Sequence, residues 1–272
     1  MKKYINFNYK YQTSLEERAN KIKVAGFDGV FVESKHNPKN YIETIFDAGL
    51  CIETLHLPYK KYSNGILIDS RYVNVIWRGG TDADEYSQEL HREIDFAHEY
   101  GIPAVIMHIT GGETPPPMNE TALKFIRKMA DHCEKNGIVL CLENLRRLDY
   151  LQYVFEELHD DKIKFCFDSG HANAMTHNVD TFPWDVYGKH LSCLHLNDND
   201  GAHDQHLPPL LGNIRWQPLI RKILYYNPKI NFTLEVRCSE EQQNTMSEEA
   251  YLNLCFSKLC DLEKMKENNN DA

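Results

Sequence analysis

An α/β fold, a single (β/α)8 barrel, is the architecture this 272-residue chain predicts. Three observations predict it. Eight short apolar runs alternate with eight amphipathic, helix-length segments without a break in composition, the pattern of a parallel sheet built from βα units. The length suits one such barrel, for which ~250 residues is typical. Seven of the eight runs stop at a polar or ionisable side chain, and the carboxyl ends of barrel strands form the rim where active sites are built.

In chain order, KKYINFNY carries no such residue. VFVE stops at Glu33, TLHLPY reaches His56, AVIMHIT reaches His108 and IVLCLEN reaches Glu143. IKFCFDSGH reaches Asp168 and His171, LSCLHLND reaches His195, and INFTLEV reaches Glu235. Helices are predicted over 14–25, 38–49, 82–100, 118–136, 149–160, 179–190, 215–227 and 247–265. KVAGFDG, DAGL, EYGIP and KNGI put a glycine where four of them should stop. The barrel domain is expected over 1–265 and a polar, disordered tail over 266–272. An open doubly wound sheet would gather its site at one switch point and use fewer strand ends.

Composition narrows the function. A net charge of −10 argues against a broad nucleic-acid surface, which needs clustered Lys and Arg. The opening MKKYINFNYKYQ lacks the apolar stretch of a secretion signal, and no run approaches the ~18 apolar residues of a membrane span. A cytoplasmic protein is the expectation. Eight Cys without a CxxC pair do not form a disulfide or zinc-finger framework. Cys141, Cys166 and Cys193 each precede a candidate ligand by two residues and so share its side of the strand, one layer deeper in the barrel, as packing residues.

Three connections are long: 59–81, 110–117 and 197–214. Long loops on the rim act as lids or substrate walls. Trp77 and Arg78 are placed either to cover a ligand or simply to decorate the surface.

Glu143, Asp168, His195 and Glu235 end runs five to eight. Three carboxylates and one imidazole make a set for a divalent ion such as Mn, Co, Mg or Zn rather than for a structural zinc site, which favours Cys and His. Without a cation, converging carboxylates would repel and raise one another's pKa. His56, His108, His171, Asp204 and His206 could surround this centre and bring its capacity from one metal to two or three. Each alone could equally be a hydrogen-bonded core residue.

The run LHLNDNDGAHDQHLPPLLGNIRW, with FDSGHAN and CLEN, resembles the sugar-phosphate isomerase/epimerase group of the xylose-isomerase-like TIM-barrel superfamily over nearly the whole chain. The resemblance implies that Glu143, Asp168, His195 and Glu235 hold one divalent metal. Members of that group often form dimers or tetramers, so a homo-oligomer is one state the resemblance allows, and the oligomeric state stays open. Endonuclease IV, a three-zinc DNA-repair enzyme of the same superfamily, has nine ligand positions matched here by His56, His108, Glu143, Asp168, His171, His195, Asp204, His206 and Glu235. Two departures stand out. Where relatives read PGxG, this chain has Pro208-Pro209-Leu210-Leu211-Gly212, and Gly201 occupies about the place of a substrate-contacting Arg of ketose 3-epimerases.

The leading expectation is isomerisation or epimerisation of a sugar, sugar phosphate or related polyol by proton transfer through a metal-stabilised enediolate. By resemblance, Glu143 and Glu235 are the two bases, Asp168 and His195 mainly ligands. His171 could bond a substrate hydroxyl. Arg237 could meet a phosphate or carboxylate, with a surface salt bridge as its plainer role, and Arg146 and Arg147 raise the same pair of roles. Dehydration of a polyol would use the same centre. Abasic-site DNA cleavage is the alternative, against which GGETPPPMNE and NDNDGAHDQHLPPL offer no Lys or Arg. A barrel that merely binds a sugar would not need so full a ligand set.

Overall fold

The computed structural model describes residues 1–34, 39–176 and 179–266. The expected disordered tail beyond Lys266 lies outside the described residues, as does residue 38 of the second predicted helix. The described residues hold ten strands: β1 (Lys3–Asn6), β2 (Gly29–Glu33), β3 (Cys51–His56), β4 (Lys61–Ser63), β5 (Ile66–Asp69), β6 (Ala104–Met107), β7 (Val139–Glu143), β8 (Ile163–Asp168), β9 (Leu191–His195) and β10 (Phe232–Leu234). β4 and β5 form a separate antiparallel hairpin; the other eight make one sheet in the order β10-β1-β2-β3-β6-β7-β8-β9.

Most barrel strands, such as GVFVE, AVIM, VLCLE and IKFCFD, are rich in Val, Ile, Leu, Phe and Cys because a parallel sheet covered by helices is buried on both faces. Ile5, Val30, Leu55, Ile106, Leu140, Phe165 and Leu234 are all 0% exposed. The register is parallel where β1 meets β10 (Ile5↔Leu234), β3 meets β6 (His56↔Ile106) and β7 meets β8 (Glu143↔Cys166). The two ends of the strand order also meet: Leu196 bridges Leu234, its N–H donates to Thr233 O at 2.8 Å, and Glu235 N donates to Leu196 O at 3.1 Å. The sheet therefore closes into the (β/α)8 barrel predicted.

Packing distinguishes two compact units, Met1–Val32 with His36–Glu53 and Phe167–Ala272, and Glu33–Lys35 with Thr54–Cys166. The first carries β1, β9 and β10; the second carries β4 to β7.

Three of the long helices start where a side chain accepts one of their free N–H groups. Ser14 accepts from Glu17 N, Asn119 from Ala122 N, and Ser247 from Ala250 N. Gly26, Gly49, Gly101 and Gly137, at the four predicted stops, all have positive φ, as helix termini in the left-handed conformation require. Six predicted helices match within three residues at either end: Leu15–Val24, Thr81–Glu99, Glu120–Lys135, Leu148–Leu158, Trp216–Tyr226 and Glu248–Lys264. A seventh is Lys39–Asp47.

Two expectations need correction. The helix predicted over 179–190 is reduced to Trp184–Tyr187 and a 3-10 turn Gly188–His190, because Pro183 denies the helix an N–H and forces the residue before it out of helical backbone. Trp77 is not a ligand cover. It is 2% exposed, its Nε1 donates to Ile109 O at 2.6 Å, and its ring meets Tyr150 edge-on at 4.8 Å. The long 59–81 connection instead exposes the β4–β5 hairpin, with Tyr62, Ile66, Leu67 and Ile68 in solvent. Arg78 is exposed.

Cys141, Cys166 and Cys193 are buried, as expected of packing residues, and among the described residues no disulfide joins any of the eight cysteines. Among the described residues, no helix is long and apolar enough to cross a membrane.

Candidate metal centre

In the second unit, three predicted residues converge. His56 ends β3, His108 follows β6 and Glu143 ends β7, each at most 7% exposed. Their Nε2, Nε2 and carboxylate atoms all lie within 4.8 Å of one another. His56 Nε2 stands 3.2 Å from Glu143 Oε2, His108 Nε2 2.8 Å from the same oxygen, and the two Nε2 atoms 3.2 Å apart. His56 Nδ1 lies 2.9 Å from Leu57 O. A carbonyl only accepts, so Nδ1 carries the proton and Nε2 turns a bare lone pair toward the cluster. Lone pairs and a carboxylate at these distances need a cation or a shared proton between them, and the backbone bond is the usual device for aiming a ligating imidazole. The Tyr59 ring closes one side, 4.3 Å from His108 and 5.3 Å from His56.

In the first unit, Asp168, His195 and Glu235 offer ligand atoms that also lie within 4.8 Å of one another. They stand at the ends of β8, β9 and β10. His195 Nδ1 is 3.2 Å from Glu235 Oε2, and its ring stacks on Phe31 at 4.6 Å. Asp168 is fully buried and oriented at both oxygens: Oδ1 accepts from His171 N at 2.6 Å, capping the helix Ser169–Met175, and Oδ2 accepts from Asn197 Nδ2 at 2.9 Å. That helix was not predicted, because its cap is the same Asp that ends the strand. Its Gly170 is obligatory, since a Cβ there would strike the Asn197 amide.

The same unit places His171, Asp204 and His206 together. Asp204 Oδ2 is 3.2 Å from His206 Nε2 and 3.7 Å from His171 Nε2. Burial raises the Asp204 carboxyl's pKa, but the hydrogen bonds and positive charge of the two imidazoles outweigh it and hold that pKa well below the usual range. For His206 burial favours the neutral ring, yet Glu235 and Asp204 prevail and raise its pKa. His206 sits at φ 52°, an uncommon conformation for a residue with a Cβ. It is clamped there: its Nδ1 donates to Glu235 O at 3.0 Å and its carbonyl accepts from Arg237 N at 2.9 Å.

The loop carrying these groups depends on a residue the sequence did not single out. Asp198 is 0% exposed, and its Oδ1 accepts from Asn199 N and Ile214 N, its Oδ2 from Leu210 N and Trp216 Nε1, at 2.7–3.1 Å. Gly212 lies so close to Asp198 Oδ1 and Asn199 O that a Cβ would not fit. The one sequence signal was the resemblance of the run HLND itself.

Of the other candidates, Glu33 ends β2 half-buried. Arg146 pairs with Glu113 at 3.6 Å and Arg147 with Asp149 at 2.6 Å, the plainer of their two expected roles. Gly201, at φ 82°, is in the left-handed region that a glycine accepts.

The His56–His108–Glu143 and Asp168–His195–Glu235 triads each offer imidazole nitrogen with carboxylate oxygen, a donor set that fits a divalent cation.

The sequence model of the xylose isomerase-like TIM barrel family matches residues 18–254. A protein of Sinorhizobium fredii named y4fM is 26% identical over 189 residues, 65% of this chain and 60% of that protein. The chain thus spans less than two thirds of that relative. Among solved structures, D-psicose 3-epimerase of Clostridium cellulolyticum, with D-tagatose, superposes with a TM-score of 0.76 at 13% identity, over 97% of this chain and 99% of that one. The 3-keto-D-glucoside 4-epimerase of E. coli gives 0.71 at 17%, over 97% and 99%. A Thermus thermophilus protein, TTHB071, soaked with zinc chloride gives 0.69 at 20%, over 99% and 100%. These likenesses share the barrel fold. With most of its length matched by the family's model, the chain belongs to the xylose isomerase-like TIM barrel family.

Proposed function

We propose that the protein is a divalent-metal-dependent isomerase or epimerase of a sugar, a sugar derivative or a related polyol. The observation that carries this reading is the convergence of Asp168, His195 and Glu235 at the ends of three barrel strands, with ligand atoms within 4.8 Å of one another. Glu143 is the fourth ligand of the proposal: it ends β7, whose register pairs it with Cys166, two residues before Asp168. Sugar epimerases among the superposed structures support the substrate class.

When bound, a divalent cation would supply Lewis-acid polarisation of a substrate carbonyl and its neighbouring hydroxyl. Glu143 and Glu235 then act as the two bases, one taking the proton from the carbon next to the carbonyl and the other returning it to the enediolate. Asp168, held at both oxygens, and His195, backed by Phe31, keep the geometry fixed between the two steps. His171 is placed in the proposal to bond a substrate hydroxyl.

The clusters His56–His108–Glu143 and His171–Asp204–His206 favour a second reading, a three-zinc phosphodiesterase acting at abasic DNA. Against it, the loops 111–120 and 197–210 hold no Lys or Arg to follow a phosphate backbone. Elemental analysis of the purified protein, beside activity on ketoses, ketose phosphates, an inosose and an abasic-site duplex, tests both. About one metal per chain with ketose turnover is expected; about three zinc ions with duplex cleavage would replace the isomerase reading.

A further inference from the structure

Arg237 differs from three other arginines of the chain. Arg146, Arg147 and Arg215 each hold a carboxylate: Glu113, Asp149 and Asp180. Among the described residues, no ion pair and no side-chain hydrogen bond ends on the Arg237 guanidinium. Carboxylates are not scarce, with 40 Asp and Glu against 30 Lys and Arg. The side chain is nevertheless half-buried. Sheltering a guanidinium costs free energy unless an anion accepts from it.

The backbone indicates which way it faces. Glu235 N donates to Leu196 O, Val236 N to Asn6 Oδ1 and Arg237 N to His206 O, so the chain stays extended past β10. Exposure alternates along it, half-buried at Glu235, buried at Val236, half-buried at Arg237. Side chains two apart on an extended chain share a side. Arg237 therefore shares the side of Glu235, and its charge is felt at the His206 imidazole.

We infer that Arg237 anchors an oxyanion of the ligand, a phosphate or carboxylate remote from the carbon that exchanges its proton. A guanidinium fork matches either group with two parallel N–H···O bonds. The inference rests on the isomerase reading for the sugar part of the ligand and narrows it to a sugar phosphate or a sugar acid. A neutral ketose would leave the fork without an acceptor.

Calorimetric titration of inorganic phosphate, and separately of acetate, into the metal-loaded protein and its R237Q and R237K variants reads the contact without turnover. Wild-type protein should bind one of the two anions, and R237Q should weaken it about tenfold to a hundredfold, the scale of one charged hydrogen-bonded contact. R237K should recover only part, because an ammonium keeps the charge and loses the fork. A response to phosphate identifies a phosphorylated substrate, and a response to acetate a sugar acid. Equal affinity in wild type and R237Q, or no binding of either anion to wild type, overturns the inference even if ketoses are turned over. Loss of anion binding in R237Q with no sugar turned over by wild type would instead sink the isomerase reading and leave the oxyanion site standing. Thermal melts confirm that each variant is folded.

Discussion

The backbone N–H of Leu210 donates to Oδ2 of Asp198 at 3.0 Å, and that bond holds Leu210 at φ 69°. Setting the PGxG of the resembling group on Pro209 and Gly212 puts its first glycine at Leu210. The structure explains the glycine: the turn needs left-handed backbone, which costs an L-residue about 1–2 kcal/mol. Here the Asp198 bonds hold a leucine in it.

Leu210→Gly should therefore stabilise the protein by about 0.5–1 kcal/mol, the relieved strain less the added freedom of glycine in the unfolded chain. Urea denaturation measures it. A net loss of stability would mean that the Leu210 side chain contributes more by packing than its backbone costs.

Asp198→Ala removes an acceptor from four N–H groups, including Trp216 Nε1 at 2.7 Å. Each buried donor left unsatisfied costs about 1–3 kcal/mol, so a loss of at least 3 kcal/mol is expected. Asp198→Asn, which keeps one acceptor oxygen, should lose roughly half as much. If the loop positions Asp204 and His206, Asp198→Asn will also weaken metal uptake, whereas a purely structural Asp198 would leave uptake unchanged in the folded fraction.

Glu143→Gln and Glu235→Gln should each lower kcat by about 10²–10⁴-fold, the range for loss of a general base. Circular dichroism should show intact folds, and metal should still bind through the remaining ligands. Exchange of the substrate's carbon-bound hydrogen with solvent separates the two roles: one variant should still exchange and not complete turnover. Wild-type rates in either would remove the two-base scheme.

Glu53, on β3, accepts from Asn231 Nδ2 at 2.9 Å and from Thr233 Oγ1. Burial raises the pKa of its carboxyl above the usual 4.5, against both bonds. A carboxyl whose pKa is raised on folding contributes stability that is present below its unfolded pKa and lost as pH rises through the folded one. Glu53→Gln, neutral at every pH, should melt higher than wild type at pH 8, and the gap should vanish below about pH 4. Calorimetric melts at both values check it, and a pH-independent gap would show that shape rather than charge is responsible.

Much of the barrel was legible because burial on both faces leaves parallel strands no polar alternation, so each reads as a solid apolar run ending where the rim begins. The candidate ligands followed, since Glu143, Asp168, His195 and Glu235 interrupt such runs. Less was legible where one residue serves two elements. Asp168 both ends β8 and caps the helix after it, and SGHANAM is too short and too small to show a helical period. ILID, inside the long 59–81 connection, forms a strand of the β4–β5 hairpin whose Ile66, Leu67 and Ile68 face solvent, so no core contact marks it in the sequence. Asp198 looked like an ordinary turn residue; only four N–H groups arriving from as far as Trp216 reveal its role.

The pairing of β10 with β1 and its bridge to the end of β9 has a consequence for biosynthesis. Met1–Val32 and His36–Glu53 belong to a unit completed only by residues from Phe167 onward, so an emerging polypeptide cannot seal its cylinder until Phe232–Leu234 have left the ribosome. Glu235 follows at once. Nascent chains halted before that point would lack both the final stave and one candidate ligand, so metal capture should mark chains that have finished folding.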